Sequence, residues 1–365
     1  MTPDPGLASW LQLSLTPGLG ASTLRKLLGQ FGLPEAVLAR KRSELASYVA
    51  PLALEALDSS DVQEAVARAQ QWLAVKDHFV VTLADELYPR ALLEIADPPP
   101  LLYGHGRSQL LPQAALAIVG SRNASAQGER NAENFAAALS ATGLTIVSGL
   151  ALGIDAAAHR GGLTGAGSTI AVLGTGIDIV YPTRNAELAA EISRRGLLLS
   201  EFALGTPAVA HNFPRRNRLI SGLSRGCLVV EAAVASGSLI TARCAADQGR
   251  EVFAIPGSIH SPLSKGCHAL IKSGAKLVES AEDVLAELSG FRPSGYASTA
   301  SSVAPPDSGL LAVMGHDPVD VDSLCARAGL SAEQVASELL RLELDGRVTA
   351  LPGGLYQRLE KAHRG

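Results

Sequence analysis

Glycine- and serine-rich loops follow five of the apolar runs that we interpret as β-strands. In an open parallel sheet the carboxyl ends of the strands share one edge, and ligands bind in the crevice beyond it. Small residues at the start of a following helix expose backbone N–H groups and the positive end of the helix dipole to an anion. The pattern therefore predicts an edge that binds phosphate groups. The loops are at 120–122, 148–155, 174–178, 236–238 and 256–257.

Arg122 stands in the first of these loops, directly after the strand predicted at 116–119. Its planar guanidinium presents a fork of donors that suits bidentate contact with a phosphate. The alternative is an internal salt bridge with a carboxylate at a neighbouring strand end, such as Glu201. The anion-binding character of the neighbouring loops favours the phosphate contact.

The segment 211–225 carries four arginines and no acidic residue, although the net charge of the chain is −4. Arginines neutralise a phosphate backbone, and an aromatic ring between them stacks on a base for about 1–3 kcal/mol per base. Phe213 is that ring, and Pro214 stiffens its approach. The alternative places the arginines on a solvated helix face and Phe213 in the core. The lack of acids favours a nucleic-acid interface, with contacts predicted at Gly120, Ser121, Arg122, Ser148, Gly149, Phe213, Arg215, Arg216, Asn217, Arg218 and Ser238.

Three acidic or imidazole side chains could indicate catalysis or metal binding. Asp155 and His159 lie one helical turn apart, but no third metal ligand is evident. We therefore expect Asp155 to cap its helix and His159 to pack against the sheet. Glu231, at a strand end, fits a catalytic carboxylate and a structural contact with Arg218 or Arg225 equally well.

Two nucleotide-binding patterns are incomplete. The segment 162–169 has the glycine spacing of a Walker A loop, but Ser168 stands where the lysine is needed and a strand follows instead of a helix. The run 174–179 lacks the third glycine of the dinucleotide fingerprint, because Ile179 occupies its place. We predict no cofactor, no metal and no catalytic residue.

From residue 116 onward the chain alternates apolar runs with alanine-rich helical stretches. Such an alternation predicts a parallel sheet covered by helices on both faces. The predicted fold class is therefore α/β, with an extended Rossmann-like parallel-sheet core. Its strands are expected at 116–119, 144–147, 169–173, 197–199, 227–230, 251–255 and 276–278.

The flanking regions differ from this core. Residues 1–103 read as short amphipathic helices, which predicts an N-terminal helical domain of the SAM or helix-hairpin-helix type. The turn at 17–20 resembles a phosphate-binding hairpin, although the acidic charge of this region favours a plain turn. Residues 104–290 form the Rossmann-like domain, 291–308 a Ser/Pro/Ala-rich flexible linker, and 309–365 a winged-helix domain.

The third helix expected in the winged-helix domain, at 331–345, carries four acidic residues and a single arginine. Ser331 and Gln334 have the spacing of a capping box at its start. A helix that enters a DNA groove should be basic, so an acidic helix is repelled by the phosphates. We expect this domain to contact protein; the alternative is that it reads duplex DNA as a regulator.

Composition excludes several classes of protein. The 365 residues are 47% hydrophobic and 18% charged, which excludes a mainly disordered or fibrous chain. Every long apolar stretch is interrupted by glycine, proline or charge, and no basic residue precedes the N-terminal apolar part. We therefore predict neither a membrane span nor a secretory signal. The four cysteines form no C-x-x-C pair, which is typical of a reducing cytoplasm.

Nine stretches, in order, make the chain similar to the bacterial DNA processing protein A family, also called DprA or Smf. Two of them read Val119-Gly-Ser-Arg122 and Phe213-Pro-Arg-Arg-Asn-Arg218. The resemblance implies a dimeric, cytoplasmic, non-enzymatic protein that binds and protects single-stranded DNA and loads a RecA-type recombinase onto it, in natural transformation and homologous recombination. Single-stranded DNA contacts in the family fall on these two stretches. The other seven lie at 88–104, 148–155, 169–174, 178–182, 236–241, 249–257 and 270–275.

Two positions depart from the family pattern. Ser168 stands where members often carry lysine, and His268 where asparagine is common. Loss of the lysine removes a phosphate contact, so we expect the remaining arginines to supply more of the affinity.

The rival interpretation is a nucleotide-hydrolysing enzyme of the lysine-decarboxylase-like type, which has a similar Rossmann-like fold. Those enzymes carry a Pro-Gly-Gly-x-Gly-Thr loop with a downstream glutamate. The comparable segment here, 231–241, lacks both features.

Overall fold

The computed structural model of the protein describes residues 5–288 and 309–359, so the predicted linker at 291–308 lies outside the described residues. Short 3-10 turns occur at Ser108–Leu110, Thr183–Asn185 and Pro262–Ser264. The helices are Pro5–Leu15 (α1), Ala21–Phe31 (α2), Pro34–Leu38 (α3), Arg42–Leu45 (α4), Pro51–Ala56 (α5), Ser60–Leu73 (α6), Arg90–Leu93 (α7), Ala126–Ala141 (α8), Ile154–Gly162 (α9), Ala186–Arg195 (α10), Asn212–Gly222 (α11), Ser238–Asp247 (α12), Lys265–Lys272 (α13), Ala281–Glu287 (α14), Leu310–Met314 (α15), Val321–Ala328 (α16) and Ala332–Leu344 (α17).

Nine strands form the central sheet in the order β1-β2-β6-β5-β4-β3-β7-β8-β9. All pairs from β6 to β9 are parallel, whereas β1 and β2 are antiparallel additions at one edge. The predicted α/β class is confirmed. The strands are His78–Thr82 (β1), Leu101–Gly106 (β2), Ala115–Val119 (β3), Thr145–Ser148 (β4), Thr169–Val172 (β5), Leu197–Ser200 (β6), Gly226–Val229 (β7), Glu251–Ala254 (β8) and Lys276–Leu277 (β9).

The first two strands were not predicted from the sequence. β1 lies at the sheet edge and is only half-buried over most of its length, and β2 contains two glycines, so neither shows a continuous apolar run. Val81 pairs with Leu102 in the register of these strands. The sheet therefore begins earlier in the chain than the boundary predicted at residue 104.

The central strands are mainly apolar because helices cover both faces of the sheet. In β3, Leu116 and Ile118 pack with α8 and α9 on one face, while Ala117 and Val119 pack on the opposite face with Leu219 of α11. Successive side chains of a strand point to opposite faces, so a strand buried on both sides is apolar at most positions. A buried polar exception such as Ser148 bonds the backbone of a neighbouring strand.

The N-terminal helices have a core of their own and also pack against the sheet. Leu24 and Leu27 of α2 are buried, as their helical spacing predicts. Trp10 of α1 and Val66 of α6 share a second cluster with Leu198 of β6. This cluster fixes the helical region against the sheet.

Residues 309–359 form a winged-helix domain, as predicted. Helices α15, α16 and α17 pack around Leu324 and Leu339. A small sheet in the order β10-β12-β11 joins a short strand between α15 and α16 to the two strands that follow α17. The predicted capping box is confirmed, since the side chains of Ser331 and Gln334 each bond the other's backbone N–H. Within the described residues no helix is both long and apolar enough to cross a membrane. The strands are Val319–Asp320 (β10), Val348–Leu351 (β11) and Leu355–Arg358 (β12).

Candidate nucleic-acid interface

The loops that follow β3, β4, β5 and β7 meet at one edge of the sheet. These strands are immediate neighbours and run parallel, so their carboxyl ends lie side by side. The loop after β3 carries Arg122, and the loop after β4 leads into α9. The structure therefore brings together loops that are far apart in the sequence.

Two buried charged residues, Asp155 and Arg216, hold the loop after β4 through hydrogen bonds to its backbone. The Asp155 carboxylate accepts hydrogen bonds from the backbone N–H groups of Gly149 (3.1 Å) and Ala151 (3.3 Å). The Arg216 guanidinium donates to the carbonyl oxygens of Gly149 (2.8 Å) and Val172. A Cβ at position 149 would lie 2.6 Å from this guanidinium, so only glycine fits. Asp155 thus braces the loop and does not cap α9, whose N-cap is Gly153.

Burial changes the role that the sequence suggested for Arg216. Its side chain is 4% exposed, which removes the guanidinium from contact with a solvent-borne phosphate. Burial lowers the pKa of Arg216 to about 10, so the group stays charged at neutral pH. Burial raises the pKa of Asp155, and the nearby Arg216 charge opposes that rise. Arg216 is therefore a support of the loop, and the predicted direct contact does not fit its position.

His159 completes this buried layer and packs against the sheet as predicted. Its Nε2 accepts a hydrogen bond from the backbone N–H of Leu150 (3.3 Å), and its Nδ1 lies 2.7 Å from the hydroxyl of Thr169. Burial, together with the charge of Arg216, lowers the pKa of His159 to about 3. The imidazole is therefore neutral over the physiological pH range.

Arg122, Phe213 and Tyr181 lie together at this edge, and we call them the interface cluster; Arg122 and Tyr181 are exposed and Phe213 is half-buried. The guanidinium carbon of Arg122 lies 5.9 Å from the centre of the Phe213 ring, within the range of a cation–π contact. The Tyr181 ring centre lies 5.5 Å from that of Phe213, at an interplanar angle of 44°. Gly174 lets the Phe213 ring approach, because a Cβ there would lie 2.7 Å from the ring.

The salt bridge that was the alternative for Arg122 does not form. The Glu201 carboxylate instead pairs with Arg218 and, at 3.4 Å, with Arg215. Arg122 is exposed and has no carboxylate partner within residues 5–288 and 309–359.

The four arginines of segment 211–225 do not form one patch. Arg215 is 48% exposed, and Arg218 is 13% exposed and bonds Asp97 as well as Glu201. Arg225 precedes β7 and so lies at the opposite, amino end of the sheet. Because Arg216 is buried, Arg215 is the one exposed arginine on α11 among the described residues; it lies two positions after Phe213, and its guanidinium carbon is 5.4 Å from the centre of the Phe202 ring. Arg218 supports the fold, and the predicted direct contact does not fit its position.

Comparison with known proteins decides the family. The family model described as DNA recombination-mediator protein A matches residues 79–289, and a model described as the DprA winged helix domain matches residues 295–354. The Escherichia coli protein Smf is 47% identical over 300 residues, which cover 80% of each chain. The chain belongs to the DNA recombination-mediator protein A family.

Further relatives agree with this assignment to the DprA family. Protein Smf of Synechocystis is 35% identical and covers 96% of this chain and 98% of its own length. The crystal structure of DprA from Streptococcus pneumoniae is 38% identical, with a TM-score of 0.68 over 80% of this chain and all of that one. A structure of DNA processing protein A from Helicobacter pylori, determined to study its single-stranded DNA binding mode, is 31% identical, with a TM-score of 0.53 over 58% of this chain and 97% of that one.

Ser168, which departs from the DprA pattern, lies far from the interface cluster. Ser168 precedes β5 and so lies at the amino end of that strand, where its hydroxyl donates to the carbonyl oxygen of Arg195 (2.7 Å). The interface cluster lies beyond the carboxyl end. The expectation that Ser168 removes a phosphate contact from this edge is therefore wrong. His268, the other departure, lies 3.0 Å through its Nε2 from the carbonyl oxygen of Gly257.

The smaller predicted contacts differ in their accessibility. The hydroxyl of Ser148 is buried and donates to the carbonyl oxygen of Ile118 (2.7 Å), so it is not available to a ligand. The Ser238 hydroxyl lies 2.7 Å from that of Ser236, and Asn217 donates to the carbonyl oxygen of Gly237 (3.4 Å). Gly120 and Ser121 are half-buried beside Arg122, while Gly149 is buried in the braced loop.

Glu231 is a structural residue, but not through the arginines named in the sequence analysis. Its carboxylate accepts hydrogen bonds from the hydroxyl (2.6 Å) and the backbone N–H (2.9 Å) of Ser125, the N-cap of α8. Burial raises the pKa of Glu231. Both carboxylate oxygens are engaged, so the nucleotide-hydrolase interpretation finds no free carboxylate at this position.

Sequence reasoning missed two residues of the edge. Tyr181 follows the loop at 174–178 and belongs to the interface cluster. Asn185 donates from its side-chain amide to the carbonyl oxygens of Leu150 (2.9 Å) and Ala151 (3.1 Å), and so ties the segment after β5 to the braced loop. Both residues follow the strand predicted at 169–173. Because the segment after that strand reaches the same edge of the sheet, its polar and aromatic residues could have been included in the predicted site.

Proposed function

We propose that this protein binds single-stranded DNA along the carboxyl edge of its parallel sheet, without catalysing a reaction. One observation carries the proposal: the exposed Arg122 guanidinium, lacking a carboxylate partner in the described part of the chain, stands over the Phe213 ring. A positive group beside an aromatic ring supplies the phosphate contact and the base contact that single strands require. The Helicobacter pylori relative, studied for its single-stranded DNA binding mode, supports the same ligand.

We further propose that a homodimer passes the bound strand to a RecA-type recombinase during transformation and homologous recombination. Membership of a family described as recombination mediators supports this step. The winged-helix domain then contacts protein, because α17 is acidic and exposes Leu340 and Leu344 on its surface. An acidic, apolar helix face suits a protein partner and is repelled by duplex phosphates.

A salt titration of binding to labelled poly-dT, with duplex of equal length as competitor, tests the proposal. We expect salt-sensitive binding that duplex does not compete away. Arg122→Ala is expected to weaken it and to reduce the slope of log K against log salt by roughly 0.7, the value for one phosphate contact on a single strand.

Arg194→Ala is the matched control, because Arg194 is exposed at the C-terminal end of α10, near the amino end of the sheet. Its slope should equal that of the native protein. A chain that ends at residue 290 should bind poly-dT as the full chain does. Equal slopes for the native protein and Arg122→Ala would contradict the assigned phosphate contact, and weak or duplex-indifferent binding would contradict the function.

A further inference from the structure

We infer that Tyr181 is a second base-stacking residue of this edge, so that a bound single strand meets two aromatic rings. The inference rests on the proposed binding of single-stranded DNA and names a contact residue of that same site. It follows from the position and the exposure of the Tyr181 side chain and from the hydrogen bonds that hold its segment.

The position of Tyr181 extends the ring of Phe213 along the sheet edge. The two ring centres are 5.5 Å apart and the planes are tilted by 44°. This arrangement is neither a parallel stack nor an edge-to-face pair, so the two rings present faces in different directions. Two bases of one strand, which are joined by a flexible backbone, can each meet a ring in such an arrangement.

The Tyr181 ring is more exposed to solvent than the Phe213 ring. Phe213 is half-buried, its ring contacts the Gly174 backbone on one side, and Arg122 stands over it. Tyr181 is 47% exposed. In the described part of the chain, Tyr48 is the other aromatic side chain with comparable exposure, at 41%. A large aromatic ring left open at the edge where the phosphate contact is proposed is available to a base.

The segment that carries Tyr181 is held in place before any ligand binds. The Thr175 hydroxyl donates to the carbonyl oxygen of Ile179 (2.5 Å), and the Ile179 N–H donates to the carbonyl oxygen of Gly176 (3.0 Å). On the other side, Asn185 bonds the braced loop. A backbone segment held at both flanks loses little conformational entropy when a base stacks on the ring that it carries.

The charged residues nearest to Tyr181 in the sequence are of both signs, Asp178 before it and Arg184 after it. Asp178 is the nearest acidic residue in the sequence, and its carboxylate accepts from the backbone N–H of Gly205 (3.0 Å) in the loop after β6. Arg184, three residues after Tyr181, is exposed. Asp178 is exposed and has no cationic partner within the described residues, so Tyr181 is assigned contact with a base and not with a phosphate.

The test compares full-length variants on two strands of equal length, poly-dT and an abasic strand that keeps the phosphates and lacks the bases. Stacking of about 1–3 kcal/mol per base corresponds to roughly 5- to 140-fold in affinity. Tyr181→Ala should weaken poly-dT binding within this range, with an unchanged salt slope and unchanged affinity for the abasic strand. Tyr181→Phe should bind as the native protein, because the ring remains.

Two further variants keep the test decisive. Tyr181→Leu retains an apolar side chain without a ring and should weaken poly-dT binding as Tyr181→Ala does, so a folding defect of the alanine variant cannot decide the result. Tyr48→Ala removes the other exposed tyrosine and should leave binding unchanged.

Native affinity of Tyr181→Leu for poly-dT, or an equal loss on both strands, would overturn the inference. If Arg122→Ala still weakens binding in that case, the proposed function stands without it. If the native protein does not bind poly-dT, both the function and the inference are wrong.

Discussion

Two regions of the molecule place an arginine, a phenylalanine and a tyrosine together, and their surroundings are opposite. In the N-terminal helices, Arg40 lies 5.3 Å from the centre of the Phe31 ring, and Tyr48 meets that ring edge-on at 5.4 Å. At the carboxyl edge of the sheet, the interface cluster repeats the arrangement with distances of 5.9 and 5.5 Å.

The difference between the two groups lies in charge and support. Arg40 has a carboxylate partner, Glu44, at 3.7 Å, on the surface of an acidic region. Arg122 has none in the described part of the chain, and the loops around it end parallel strands above the layer of Asp155 and Arg216. The same three residue types therefore do not suffice for a phosphate-binding site. The arginine must also lack a carboxylate partner and stand on a backbone that is held in place.

The largest expected effect comes from removing that brace. Arg216→Ala leaves the Asp155 carboxylate buried without its cationic partner, which costs about 3–5 kcal/mol. We expect a large drop in the free energy of unfolding, measured by urea denaturation at neutral pH. Arg40→Ala is the comparison variant from the other group and should change that free energy by no more than about 0.5 kcal/mol. Similar free energies of unfolding for these two variants would show that the buried Arg216 and Asp155 do not stabilise the sheet edge.

An intermediate effect is expected from His159, which belongs to the same buried layer. Its pKa falls to about 3 in the folded protein, whereas an unfolded chain has the ordinary value of about 6.5. Between these values the unfolded state binds more protons, so stability is complete above about pH 6.5 and falls as the pH is lowered.

The loss should approach about 1.4 kcal/mol per pH unit within this window. Urea denaturation between neutral and acidic pH measures it, with His159→Gln as the control, because glutamine does not titrate. The slope against pH should be shallower in the variant by that amount. An identical slope would place the acid sensitivity elsewhere.

The smallest effect is expected from Arg215→Ala, one position away from Arg216 on α11. Arg215 is 48% exposed, and its pair with Glu201 at 3.4 Å is partly solvated. Its removal should cost no more than about 1 kcal/mol of stability, and poly-dT affinity should fall less than in Arg122→Ala. Parallel unfolding and binding measurements on the two single variants check this. If Arg215→Ala lost as much stability as Arg216→Ala, the assignment of Arg215 to the surface and of Arg216 to the buried support would be wrong.

Much of the fold was predictable from local pattern. All seven strands expected from apolar runs are present, and the central ones are mainly apolar because helices cover both of their faces. β1 and β2 were missed, since the antiparallel edge leaves β1 half-buried and β2 contains two glycines. In the site, Arg122 and Phe213 were predicted from residue type, and the structure places them in contact.

The exposure of each arginine of α11 was harder to predict, because a count of charges does not tell which face of a helix each side chain occupies. Neighbouring positions on a helix point about 100° apart, so Arg215 faces solvent while Arg216 faces the sheet. A segment with four arginines and no acid looked like one basic patch. The acids that face these arginines, Asp155 in α9 and Glu201 after β6, come from distant parts of the chain.

The sequence by itself determined the alternation of strands and helices and the small residues at the strand ends, because both follow from the period and the size of neighbouring side chains. Only the tertiary structure decided which cations are left for a ligand. A buried charge is tolerated only beside a partner, and the partners of Arg216 and Arg218 lie far away in the chain. Arg122 stays exposed because the fold brings it no such partner among the described residues.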